Sequence, residues 1–195
     1  MLTTSITALE GYGGPDLYRM CRALLRHVNY NVLETEEIPI TWWAQVLNTR
    51  DLIELVAFAG GNPTLSCRIL VEVALRAAER DVAALPEEWR GTPSDAISAA
   101  RGFLRGTTSV FVFMDALWEL YNRVDDVPED INARYWRALY AVRVVRAYTE
   151  FAADTADERR KAVFYHTLHV WYRADYDPIE ADAFRADLLQ IAAEI

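Results

Sequence analysis

The placement of proline constrains this chain more than any other feature. Proline has no N–H to donate and its ring collides with the preceding turn, so it suits the first turn of a helix and breaks an interior. Gly14-Pro15, Asn62-Pro63, Thr92-Pro93, Val127-Pro128 and Asp177-Pro178 each stand before a long segment of helical period, most beside a residue able to cap. Thr92 with Asp95 and Asp177 with Glu180 add capping boxes, and Thr155 with Glu158 marks a further start without proline. Gly60-Gly61, Pro86 and Gly106 supply the stops.

This punctuation predicts helices near 15–29, 41–48, 50–59, 63–84, 93–105, 108–124, 128–153, 156–174 and 178–194. The expected fold class is all-α, an irregular compact helical bundle of about eight or nine helices in a single domain spanning 1–195. No Gly/Ser-rich linker divides the chain, and no residue pattern recurs at a fixed period. Within 63–84, Leu65, Ile69, Val73 and Ala77 line one face while Arg68, Glu72, Arg76 and Arg80 occupy another. Two stretches can be helical or extended. Residues 28–40, with Asn and β-branched side chains, leave room for one short extended segment such as an edge hairpin. Residues 108–114 alternate Val and Phe, but 116–124 continue them without a breaker, so a helix is expected there, apolar on nearly all sides and central in the bundle.

Length and apolar content (195 residues, 52% apolar) suffice for a substantial core without staples. The 29 acidic against 20 basic residues give a net charge of -9, which repels nucleic acid and anionic lipid and suits a basic partner. Cys21 and Cys67 lack the Cys-x-x-Cys spacing of a metal or redox site, so two reduced, buried thiols are expected. Met1 to Gly14 carries neither a basic leader nor an apolar core segment, and the longest apolar run, Val110 to Met114, stops at Asp115. A cytoplasmic protein without membrane contact is the expectation.

The candidate chemistry is sparse. His166 and His169 stand one turn apart, the spacing at which a helix offers two ligands to one metal, but no third ligand is evident and Arg159 and Arg173 share their face. Surface histidines, no metal and no other cofactor are expected. Asp125-Asp126 with Glu129-Asp130 superficially resembles the aspartate-rich motif of helical prenyl-transfer enzymes, yet Pro128 interrupts the register, and a solvated loop before a helix N-terminus accounts for the acids. Asp115 interrupts the most apolar segment and is followed by Glu119 and Arg123 at four-residue steps. Asp115 and Glu119 are therefore the buried-carboxylate candidates, Asp115 paired to an arginine because an unpaired buried charge is costly.

Arg134 to Arg146 holds four arginines, three aromatics and no acid. At about 100° per residue, Arg134 and Arg137 fall opposite Arg143 and Arg146, which gives two pairs and no continuous phosphate-tracking stripe. Of six tryptophans, Trp42, Trp43 and Trp89 are the partner-binding candidates: the first two cannot both face inward on a short helix, and Trp89 is expected in a loop between Pro86 and Pro93. Phosphate loops, nucleophile elbows and zinc-protease helices are absent, and no catalytic residue can be assigned.

Residues 71–106 contain Ala74-Leu75-Arg76-Ala77-Ala78-Glu79-Arg80, a short loop, then Pro93, Ala96-Ile97 and Ala99-Ala100-Arg101, ending in Leu104-Arg105-Gly106. This stretch resembles the paired helices of a small helical family of immunity proteins from bacterial polymorphic-toxin systems. The resemblance implies a protein of bacterial or phage origin that acts by binding. The leading expectation is accordingly a non-enzymatic, acidic helical protein working by protein–protein interaction, as an immunity protein or a phage-type inhibitor of a basic enzyme. Two alternatives stand beside it. One is a helical enzyme or a small-molecule or metal binder using Asp115, Glu119, His166 and His169 in an interhelical cleft. The other is a nucleic-acid binder through the Arg134–Arg146 helix. Self-association into a homo-oligomer is compatible with all three.

Overall fold

The structure, a computed structural model, describes residues 3–4, 19, 21–23, 38–59, 62–149, 155–174 and 178–194. It is a compact, all-α helical bundle with two two-residue strands. We name the strands β1 (Thr3–Thr4) and β2 (Ile38–Pro39), and the helices α1 (Ile40–Trp43), α2 (Thr49–Ala59), α3 (Pro63–Ala83), α4 (Glu87–Leu104), α5 (Val110–Arg123), α6 (Glu129–Thr149), α7 (Ala156–Ala174) and α8 (Pro178–Glu194), with a 3-10 turn at Val124–Asp126. Residues 19 and 21–23 are also helical, within the segment expected at 15–29.

Local chemistry explains most of these boundaries. Asn62 caps α3: its Oδ1 accepts from the N–H groups of Thr64 and Leu65 at 3.1 and 3.2 Å, and Pro63 opens the first turn. Thr155 and Glu158 form a reciprocal box at the start of α7, the Thr155 N–H donating to Oε2 at 3.2 Å and the Glu158 N–H to Oγ1 at 3.1 Å. Ser109 accepts from the Val112 N–H to open α5. The signals at Gly14-Pro15, Gly60-Gly61 and Asp177 fall outside the described residues, as does 24–37. The extended segment expected within 28–40 appears at its end, where Ile38 and Pro39 pair antiparallel with Thr4 and Thr3.

One helix start is corrected. Thr92-Pro93 does not begin α4; the helix starts a turn and a half earlier, with Pro86 in the N-cap position and Glu87 and Glu88 favouring the positive end of the helix dipole. Pro93 is buried inside the helix, which forfeits one backbone bond there and keeps the rest.

The buried apolar residues form one continuous core, and α3 rather than α5 lies at its centre. That also corrects the expectation of a central 108–124 helix. The α3 residues from Ser66 to Leu75 are buried on nearly every side, and Ala74, Ala77 and Ala78 let α6, α7, α8, α2 and α4 approach closely. Its charged residues lie in seams between helices. Arg101 of α4 bridges Glu72 and Glu79, and Asp187 of α8 receives Arg80 and, at 3.9 Å, Arg76. Arg185 of α8 donates to the carbonyls of Ala44 and Leu47 and to Thr49 Oγ1, closing the turn between α1 and α2.

An ion pair crosses the core: Arg137 of α6 donates to Asp81 of α3, both side chains being buried. Burial raises the Asp81 carboxyl to about 7, more than Arg137 lowers it, and Glu180 adds to the rise. The folded state thus holds a proton that the unfolded chain releases, so the contribution of Asp81 to stability is fullest below the ordinary value of 3.8 and is lost as pH climbs through about 7. Arg137→Met should lower stability by about 3 kcal/mol near pH 8 and by clearly less near pH 5, where Asp81 sheds its charge. Urea unfolding at both pH values checks this; an equal loss at the two would contradict it.

Candidate functional site

The distinguishing surface of the molecule is the outward side of α5. Phe113, Leu117, Leu120 and Val124 fall at i, i+4, i+7 and i+11 and are buried, with Phe113 stacked on Phe103 of α4 at 4.9 Å between ring centroids. About 200° around the helix lie Phe111 and its row, Asp115, Trp118 and Asn122, all exposed. α5 rests mainly on α4 and α6, so nothing among the described residues covers that row. Phe111 is 79% exposed, Trp118 65% and Val112 56%, with Val110 and Tyr121 also exposed. Isolated exposed apolar residues are ordinary; five large ones within the fourteen residues of α5 are not.

Its margins are polar. Trp118 and Tyr121 stack at 5.7 Å, and the Arg143 guanidinium of α6 lies 5.4 Å from the Tyr121 ring centroid and 5.6 Å from that of Tyr140. Met114, Leu117, Trp118, Tyr121, Arg143 and Arg146 enclose a cavity of about 200 Å³ at this edge. On and just beyond α5, Asp115, Glu119, Asp125, Asp126, Glu129 and Asp130 are all exposed, against Arg123 as the one cation of residues 110–130. The face thus sets exposed apolar side chains among polar ones, with Asp115 between Phe111 and Trp118, acids toward the end of α5 and the arginines of α6 along one edge.

The residues singled out from sequence are placed differently from expectation in several cases. Asp115 and Glu119 are exposed, not buried, because the turn they occupy faces solvent along with Phe111 and Trp118. Among the described residues the buried carboxylate is Asp81, which lies in an alanine-rich stretch without a distinguishing signal. Trp43 is fully buried, and Trp42 packs edge-on against it at 5.1 Å between centroids. Trp89 lies in the first turn of α4 rather than in a loop, half-buried and edge-on to Tyr135 at 6.5 Å. Neither Trp43 nor Trp89 can therefore serve as a freely exposed anchor. The large apolar side chains that are exposed include Phe111, Val112 and Trp118 of α5. Their signal was the pairing of Phe111 and Trp118 with Asp115 and Asn122 at helical spacing, which marks a wet face.

His166 and His169 are half-buried in an aromatic cluster: Tyr140 stacks on His169 at 4.5 Å, and Tyr165 meets both rings edge-on. Among the described residues no group of three His, Cys, Asp or Glu side chains is arranged to hold a metal. The arginines of α6 diverge: Arg137 is in the core, Arg134 reaches the Ala84 carbonyl at 3.4 Å, and Arg143 lies over two tyrosine rings. No phosphate-tracking stripe results. Burial pushes the Cys21 thiol to about 12, helped by Asp51 and Glu54, and also raises Cys67, so both are poor nucleophiles. No helix among the described residues is long and apolar enough to cross a membrane.

A face free of packing duties tolerates substitution. Phe111→Ser and Trp118→Ser should each change stability by about 0.5 kcal/mol or less, whereas Phe113→Ala should cost about 3 kcal/mol. Chemical denaturation of the three variants checks this, and a large loss for Phe111→Ser would show that the residue is packed. The chain matches no family model, no curated protein and no solved structure.

Proposed function

We propose that this chain is a non-enzymatic binding protein that seats a basic protein on the outward face of α5 and acts as an inhibitor of the immunity type. The observation that carries the proposal is the exposure of Phe111, Val112 and Trp118 on α5, with Asp115 and Glu119 beside them and further acids just beyond the helix. Large aromatic side chains supply most of the affinity at protein interfaces, and a border of one charge speeds encounter with a partner of the other. The net charge of -9 extends the same field over the molecule. Residues 71–106, which carry the resemblance to immunity proteins, comprise most of α3 and all of α4, and α4 is the helix against which α5 packs most. An inhibitor needs no catalytic group of its own; it needs a rigid platform and a face shaped to cover its target.

The test is affinity capture from the native host with the wild-type chain and with Phe111→Glu/Trp118→Glu. A basic protein retained at low salt, weakened at about 1 M salt where electrostatic attraction is screened, and lost with the double variant is the expected result. Purified together, the two proteins should form a stoichiometric complex that abolishes the partner's activity. Capture of the same protein equally well by the double variant would place the interface elsewhere. If the wild-type chain instead forms a dimer that the double variant dissolves, the face is filled by a second copy and the proposal fails.

A further inference from the structure

A cleft of about 620 Å³ opens between the second half of α3, α4 and the loop that follows α4. It has the size of a small-molecule site and shares no residue with the outward face of α5. α4 contributes Arg90, Ser94 and Ser98 at intervals of four, one row of a helix, with Arg105 on the neighbouring row. The end wall is made by the chain folding back on Gly102. Gly106 adopts a φ of +73°, and the N–H groups of Thr107 and Thr108 both donate to the Gly102 carbonyl, at 2.9 and 3.2 Å. A Cβ at position 102 would lie 2.1 Å from Thr108 Oγ1, so the return requires glycine.

The donors in this cleft are not used up by the fold. Arg90 gives its Nε to the Leu85 carbonyl and keeps its terminal nitrogens, while Arg105 makes no ion pair among the described residues. The hydroxyls of Ser94, Ser98 and Thr108 likewise have no hydrogen-bond partner among those residues. The one carboxylate lining the cleft, Glu79, is held by Arg101. Three of the last four carbonyls of α4 are also occupied: Arg105 donates to Arg101, Gly106 to Phe103 and the two threonines to Gly102. The unfavourable potential of a helix C-terminus toward an anion is thereby blunted.

Unpaired guanidinium groups beside free hydroxyls are donors without acceptors, the complement of a phosphate. A hydroxyl-lined wall suits a polyhydroxylated body, and no aromatic ring lines the cleft among the described residues, so nothing there stacks a base. We propose that this cleft binds a sugar phosphate, with the phosphate at the end formed by Arg105 and Thr108 and the sugar hydroxyls along Ser94 and Ser98. An otherwise acidic protein thus carries a local site for an anionic metabolite, independent of its protein-binding face.

Calorimetric titration at low ionic strength with ribose 5-phosphate, ribose, orthophosphate and AMP tests the assignment. Ribose 5-phosphate should bind more tightly than ribose or orthophosphate and at least as tightly as AMP. Arg105→Ala should weaken it about tenfold or more through the lost charged hydrogen bonds. Arg50→Ala, at an exposed position of α2 away from the cleft, should leave it unchanged. Arg105 and Arg50 are both exposed, so the variants keep the fold, as circular dichroism will verify. The proposal is overturned if ribose 5-phosphate produces no binding heat at millimolar concentration, if orthophosphate matches it, if AMP binds much more tightly, or if the two arginine variants weaken it equally.

Discussion

Enclosure of α3 is the constraint on which the rest of the structure depends. A helix packed against five others leaves its charged residues few routes to water, and apart from the exposed Arg68 each charge on α3 is answered from a neighbouring helix. Asp81 is answered by Arg137 of α6 in the core, Glu72 and Glu79 by Arg101 of α4, and Arg76 and Arg80 by Asp187 of α8. These pairs set register and orientation more than they add net stability, since taking charges out of water offsets much of their attraction. Glu72 shows the balance: burial tends to raise its carboxyl, and hydrogen bonds from Arg101 and Arg76 bring it below the ordinary range. The apolar contacts around Ala74, Ala77 and Ala78 provide the cohesion, and the ion pairs dictate which helix fits where.

The same arrangement frees α5 for another role. With α3 filling the centre, α5 is needed on only one side, where Phe113, Leu117 and Leu120 seal the edge of the core against α4 and α6. Its other side holds Phe111, Val112 and Trp118 in water, an arrangement a folding argument alone does not explain. Burying those rings against a partner would recover free energy that the isolated chain forgoes. In the proposed role, the acidic residues near them would add selectivity for a partner of opposite charge. The buried and the exposed residues of α5 thus lie on opposite sides of one helix, so changes on the exposed side should leave the core intact.

Capping chemistry was legible because it is local. Asn62 and the Thr155–Glu158 box act within four residues of themselves, and no distant contact was needed to foresee them. Thr92-Pro93 misled for an equally physical reason: the pattern is a sound start signal, but Pro86 with Glu87 and Glu88 supplies an earlier one, and burial of Pro93 holds the helix through it. The helical nature of 110–123 was foreseen, while its position was not. An apolar helix with a narrow polar stripe is compatible with the centre of a bundle and with an edge that meets a partner, and intramolecular packing alone does not distinguish the two. Asp81 escaped notice because nothing in Ala78-Glu79-Arg80-Asp81 separates the carboxylate that turns inward from the one that faces water.

The sequence by itself determined that this chain forms helices, where most of them begin, that their apolar sides meet in a shared interior, and that the exterior is acidic. These properties follow from backbone geometry, side-chain period and net charge, each of which acts over short range or needs no structure at all. Only the tertiary structure decided that α3 occupies the centre, that Asp81 and Arg137 meet inside the core, and that Phe111 and Trp118 remain in solvent while Trp43 does not. Those outcomes depend on which helix faces which across the bundle, a competition among many nearly equivalent apolar surfaces that no single segment can settle.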